Sequence, residues 1–161
     1  MVSIPAIASE TSPGVFHCRE WGVTLDSQIL AELIDAARTN ARARARLCLH
    51  PEPEDIEQQM LIVMVEGAVD AAHKHPAKRE ALLPILGTAE YQLFGDSGIL
   101  ERRIAVGGTD SMYVSSPLNT FHRLVLKEPI FAFWEVAQGP FASGSTVPAL
   151  WREPLDSQVE R

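Results

Sequence analysis

The sequence predicts an all-β sandwich or barrel with a single helix near its N-terminus. Two observations carry this. From Gln58 onward, short apolar runs alternate with turn signals, which is the pattern of many short strands in one β domain. Only one stretch, around residues 26–37, repeats its apolar residues at helical spacing. The length of 161 residues suits one domain that buries a core without disulfides or metals as staples.

Residues 1–24 read as an N-terminal arm, loose over residues 1–14, because those fourteen carry two prolines, a glycine and several hydroxyl side chains. Residues 25–46 read as the helix and an Arg-rich connection. Asp26 or Ser27 supplies the cap, since a short side-chain oxygen satisfies a free backbone N–H there. Ile29, Leu30, Leu33, Ile34 and Ala37 then form one apolar face. After Asn40 the period changes to two: Arg42, Arg44 and Arg46 alternate with Ala41, Ala43 and Ala45, which suits an extended segment with one charged face. Residues 47–154 form the β domain. Its strand-like runs are MLIVMVEG, EALLPILG, AEYQLFG, ILERRIAV, SMYVSS, FHRLVLK and PIFAFWEV, separated by HPAKR, GDSG, GGTD and PLNT. The stretch after Gly139 reads as a loop over the barrel, and residues 155–161 as a polar tail.

A formal net charge of −7 disfavours nucleic acid and anionic membrane as partners. No run approaches the roughly 20 apolar residues that span a bilayer, and the start lacks the basic and apolar regions of a signal peptide. A cytoplasmic protein with reduced thiols is the expectation, with Cys18 and Cys48 as small hydrophobes.

Chemistry concentrates between Gly67 and Gly87, in GAVDAAHKHPAKREALLPILG. His73 and His75 are two apart, so on a strand both imidazoles face one side. Residues 76–79 form a turn, after which Glu80 opens a strand able to return beside the histidines. A third imidazole, His122 in SPLNTFHRLVL, lies on a later strand that Pro117 introduces. Imidazole and carboxylate together suit a divalent transition metal (zinc, iron, manganese or nickel) rather than calcium. Other residues have two readings. Arg42 and Arg44 form either an anion clamp at the barrel mouth or a solvated strand edge. His50 is an acid/base group, a hydrogen-bond partner behind the metal ligands, or a strand-end histidine. Glu135, among Phe131, Phe133 and Trp134, either fixes the tautomer of a ligand histidine or faces solvent.

The spacing G-x5-HxH-x4-E-x6-G from Gly67 to Gly87 resembles the first motif of the cupins in full. The second motif, G-x5-PxG-x2-H-x3-N, is kept in part. Pro117 and His122 stand at the right separation, Asn119 replaces the glycine, and Leu126 replaces the final asparagine. A narrower resemblance runs from about Phe16 to Pro154. The segments AART, RARARLCLH, Gln59–Met60, HKHPAKRE, PLNTFH, WEVAQGPF and ALWREP are similar to the WbuC family of cupin-fold metalloproteins, found among bacterial surface-polysaccharide genes. Ala41 and Pro84 depart from that family's pattern.

These resemblances imply a cupin-type antiparallel β-barrel, a double-stranded β-helix or jelly roll. They imply one metal held by His73, His75, Glu80 and His122, and pairing as a homodimer. Three histidines and one glutamate would leave one or two coordination positions open, which suggests a metal-dependent enzyme acting on a small carbohydrate or carboxylate. In that role His50 and Glu135 would be catalytic, while Arg42 and Arg44 would bind an anionic or sugar substrate. The alternatives are a metal-assisted binding or sensing module without turnover, and a structural role in an oligomer.

Overall fold

A computed structural model describes residues 3–140, 142 and 144–151. In chain order the elements are α1 (Ile4–Ile7), β1 (Ala8–Ser12), β2 (Val15–Cys18), α2 (Ser27–Thr39), β3 (Arg44–Cys48), β4 (Glu57–Val65), β5 (His73–Lys74), β6 (Glu80–Leu86), β7 (Thr88–Phe94), β8 (Leu100–Gly107), β9 (Val114–Ser115), β10 (Phe121–Leu126), β11 (Ile130–Gln138) and β12 (Val147–Pro148). They form two facing sheets, β1-β2-β3-β4-β11-β6-β9 and β12-β5-β10-β7-β8. This is the two-sheet β architecture that the alternation of runs and turns predicts.

The helix begins where its cap requires. Asp26 Oδ1 accepts from the N–H groups of Gln28 and Ile29, at 2.9 and 3.1 Å. Ile29, Leu33 and Ala37 are fully buried, four residues apart along one face. They pack on Ala45, Leu47 and Leu49 of the β3 segment and on Leu61, Val63 and Val65 of β4. Because side chains alternate along a strand, the other face of the β3 segment carries Arg44, Arg46, Cys48 and His50, and all four line the interior cavity. The alternation of Arg with Ala thus separates a helix-covered face from a cavity face.

Two expectations need correction. The N-terminal arm is not loose: residues 4–18 form α1 and the β1–β2 hairpin, which joins the larger sheet beside β3. It is tied down by Ile4 N–H donating to Glu32 Oε2 at 2.8 Å and by the Arg19 guanidinium donating to the carbonyls of Pro5, Ala6 and Ala8. Nor is the barrel wholly antiparallel, because β2 runs parallel to β3, with His17 opposite Cys48. A return through α2 makes that possible, since a parallel pair needs a crossover. The polar tail at 155–161 lies outside the described residues. Among those described, no helix is long and apolar enough to cross a membrane.

Local backbone explains the motif positions. Gly87 ends β6 at φ 74°, and a Cβ there would overlap the Ile130 carbonyl oxygen. Asn119 sits at φ 55°, the left-handed region that asparagine tolerates, so it does the work of the glycine it replaces. Pro84 faces Phe133 where the β6–β11 register shifts, a bulge that accommodates its missing donor.

Candidate metal centre

Four side chains predicted as ligands converge. One donor atom from each of His73, His75, Glu80 and His122 lies within 4.8 Å of all the others. The fold brings them together by register. His122 of β10 stands opposite His73 of β5, and His75 follows on the same face. The turn after Asn119 is fixed to this pair, since Asn119 N–H donates to the His75 carbonyl at 3.0 Å. Glu80 enters from the other sheet at the head of β6, its Oε2 3.2 Å from His75 Nε2 and its Oε1 2.9 Å from His122 Nε2.

Each histidine has its Nδ1 against a main-chain carbonyl: His73 with Ala71 at 2.8 Å, His75 with Ser145 at 3.0 Å and His122 with Thr120 at 2.9 Å. A neutral ring can donate there only as the Nδ1–H tautomer, which leaves a lone pair on Nε2. Backbone carbonyls, not Glu135, therefore set the tautomers. The buried His122 Nε2 has no hydrogen-bond donor or acceptor suited to it, and its lone pair points at a carboxylate oxygen. A proton or a cation between them resolves that conflict. Ligand bonds of about 2.0–2.1 Å around one ion put neighbouring donor atoms about 3 Å apart, close to the 3.2 and 2.9 Å between the Glu80 oxygens and the Nε2 atoms of His75 and His122. The donor set, three imidazoles and a carboxylate, fits a divalent transition metal.

A supporting layer holds the glutamate. Tyr91 Oη lies 2.5 Å from Ser116 Oγ, which donates to Glu80 Oε1 at 3.2 Å. Burial raises the Tyr91 pKa well above its ordinary value, so the phenol keeps its proton and donates towards the serine. The Lys78 ammonium lies 3.3 Å from Glu80 Oε2. Burial alone would raise the Glu80 pKa; the His122 and His75 rings and Lys78 outweigh it and hold the carboxyl well below the usual range. Burial likewise acts to lower the His75 pKa, but Glu80 and the Ser145 carbonyl reverse it and the net shift is upward. His73 moves down, because burial and its two imidazole neighbours prevail over Asp70 and the Ala71 carbonyl.

The cluster opens into a cavity of about 750 Å³ between the sheets. Arg42, Arg44, His50 and Glu135 all line it. Arg44 lies 3.9 Å from Asp70 Oδ1, and Asp70 in turn accepts from the Leu124 N–H at 2.8 Å. Burial, reinforced by the Glu80 charge, pushes the Glu135 carboxyl up to about 7. His50 is buried, its Nδ1 is 3.2 Å from the Gln59 carbonyl, and burial lowers its pKa.

Several cavity residues escaped the sequence reading. Arg46 and Cys48 were legible from the period-two rule that places Arg44 and His50 on one face. His17 was not, because its place beside Cys48 depends on the parallel β2–β3 pair. Lys78, Tyr91 and Ser116 carry no spacing signal of their own. Both cysteines are free; burial raises the Cys18 thiol and pushes Cys48 up to about 11.

Comparison with solved structures places this architecture among cupin structures. CapF, crystallised with the inhibitor 3-isopropenyl-tropolone, superposes with a TM-score of 0.54 at 15% identity, over 63% of this chain and 30% of CapF. Protein SO0799 from Shewanella oneidensis gives a TM-score of 0.50 at 11% identity, over 59% of this chain and 63% of that one. Oxalate decarboxylase from Lactobacillus farciminis, in its formate complex, gives 0.47 at 18% identity, over 58% of this chain and 27% of that one. The chain thus spans less than two thirds of each. At these identities the likeness speaks for the fold alone, and the His₃Glu cluster resembles a cupin metal site. No curated protein matches the chain. A family model described as Domain of unknown function (DUF6016) matches residues 25–106, half of the chain, from α2 through His73, His75 and Glu80 into β8. His122 lies beyond the matched residues. On this match the chain belongs to the DUF6016 family.

Proposed function

We propose that this protein is a metal-dependent enzyme acting on a small anionic, hydroxylated molecule, a carbohydrate or a carboxylate. The observation that supports it best is the meeting of four ligand side chains with cationic and acid/base groups in one cavity. A bound divalent ion would act there as a Lewis acid on a substrate oxygen. Arg44, Arg46 and Lys78 supply positive charge along the cavity wall, with guanidinium forks suited to a carboxylate or phosphate. Arg42 extends that charge at the exposed end of the segment. Glu135, with its pKa raised to about 7, is protonated and deprotonated in comparable amounts at neutral pH, as an acid/base group requires.

The resemblance to the WbuC family suggests a place in bacterial surface-polysaccharide metabolism, and a homodimer as the working form. Metal-assisted binding without turnover is a second reading. It is favoured by the position of His50, which clusters with His17 and Cys48 rather than with the four ligands.

Calorimetry of manganese- or zinc-loaded protein against sugar acids and hydroxycarboxylates, with proton NMR of each mixture over time, tests both. Binding that needs the metal and weakens at least tenfold in Arg44→Gln supports the site; a change in the ligand spectrum separates enzyme from binder. Ligand binding indifferent to chelator and to Arg44→Gln would overturn both.

A further inference from the structure

His17, Cys48 and His50 form a second cluster, with one donor atom from each within 4.8 Å of the others. Its construction repeats that of the first. In the first, His122 stands opposite His73 and His75 follows two residues on. In the second, His17 of β2 stands opposite Cys48 of β3, and His50 follows two residues on. In each case a cross-strand pair and its i+2 neighbour aim three donors at one point.

We propose that His17, Cys48 and His50 are the protein ligands of a second cation site, which takes a thiophilic ion of the Zn²⁺ class. Four features support this. Cys48 and His50 are 1% and 3% exposed, so their donor atoms lack solvent, yet all three side chains line the cavity through which an ion can enter. His50 Nδ1 faces the Gln59 carbonyl at 3.2 Å, which fixes the tautomer and leaves Nε2 as the donor. The His17 Nδ1 atom is buried with no hydrogen-bond partner, a cost that a cation would remove. The His17 and His50 rings meet edge to face at 5.5 Å, not stacked, so their nitrogens can share an ion.

The donor set defines the ion. One sulfur and two imidazole nitrogens, with no carboxylate, exclude Ca²⁺ and Mg²⁺ and suit Zn²⁺ in a four-coordinate site with one position left for water or a cavity ligand. On binding, the Cys48 S–H bond breaks, an S–metal bond forms with the sulfur electron pair, and the proton passes to solvent. The ion would join the N-terminal hairpin to β3, across a parallel pair only three residues long. Binding should therefore stabilise the fold as well as add a charge beside Arg46 and Glu135.

Titration with Co²⁺, read by absorption, tests this independently of the first site. A thiolate–cobalt charge-transfer band should appear in the wild type, at two ions per chain, and equimolar Zn²⁺ should bleach it. Cys48→Ala and the more conservative His17→Gln should each lose or sharply weaken the band and reduce the stoichiometry by one ion. Both should keep the wild-type circular dichroism. The double variant His75→Ala/His122→Ala should keep the band while losing the other ion. No thiolate band in the wild type at excess Co²⁺, or a band that survives Cys48→Ala, would overturn the proposal.

Discussion

His122 stands opposite His73 across the β5–β10 pair, with their ring centroids 4.6 Å apart. One cross-strand register therefore joins two ligands that are separated by 48 residues of sequence. The rest of the site is arranged around that pair: His75 by strand alternation, Glu80 by the return of the chain into the facing sheet.

Glu80 is aimed by Ser116, so Ser116→Ala should weaken metal binding without removing a ligand. The variant deletes the donor to Glu80 Oε1 and leaves the Tyr91 hydroxyl without its acceptor. Loss of such an outer partner reduces affinity about 10- to 100-fold. Competition with a chromophoric chelator measures it; unchanged affinity would remove Ser116 from the site.

Glu135 should make the metal-free protein less stable as pH rises. Its folded pKa of about 7 lies above the ordinary 4.5, so between those values the folded state holds more of the proton. Stability is then full below about pH 4.5 and falls until about pH 7, by at most on the order of 3 kcal/mol. Glu135→Gln cannot ionise and should gain on the wild type between pH 5 and pH 8. Urea melts of chelator-treated protein at the two values read the difference, and parallel curves would contradict it.

The metal-free His75–Glu80 pair has its own window. The raised His75 contributes stability that is present below its ordinary 6.5 and is lost as pH rises through its folded value. The depressed Glu80 contributes stability that is present above its ordinary 4.5 and is lost as pH falls through its folded value. The pair should therefore stabilise most between about pH 4.5 and 6.5. A bound metal must displace the His75 proton, so affinity should fall about tenfold per pH unit below the His75 pKa. A pH-independent affinity from 5 to 8 would contradict this.

Gly87 closes the first motif for a backbone reason, and Gly87→Ala should cost about 3 kcal/mol. Alanine must adopt φ 74° with its methyl against the Ile130 carbonyl. A thermal transition within about 2 °C of wild type would mean that the turn relaxes freely.

Much of this was legible in the sequence, because the signals were local. Period-two spacing gave His73 and His75 a common face, and Asp26 with Ile29, Leu33 and Ala37 marked the helix. Asn119 and Pro84 both signalled backbone departures that the structure contains. What was hidden depended on pairing between distant segments. The hairpin of residues 8–18 has only a weak alternation of its own and becomes sheet by docking beside β3. His17 gains its neighbours Cys48 and His50 only through that parallel register. Tyr91 and Ser116 meet because β7 and β9 lie in facing sheets. The arginine run showed its period but not its direction, which was set by α2 covering the alanine and leucine face.

The central claim is that His73, His75, Glu80 and His122 hold one divalent transition metal. Anomalous diffraction at the absorption edge of the added metal, from crystals grown at neutral pH with manganese or zinc in excess, tests it most directly. A peak about 2.0–2.3 Å from the Nε2 atoms of all three histidines and from a Glu80 oxygen is the expected result. No peak at that point, or one with His122 turned away from it, would contradict the account.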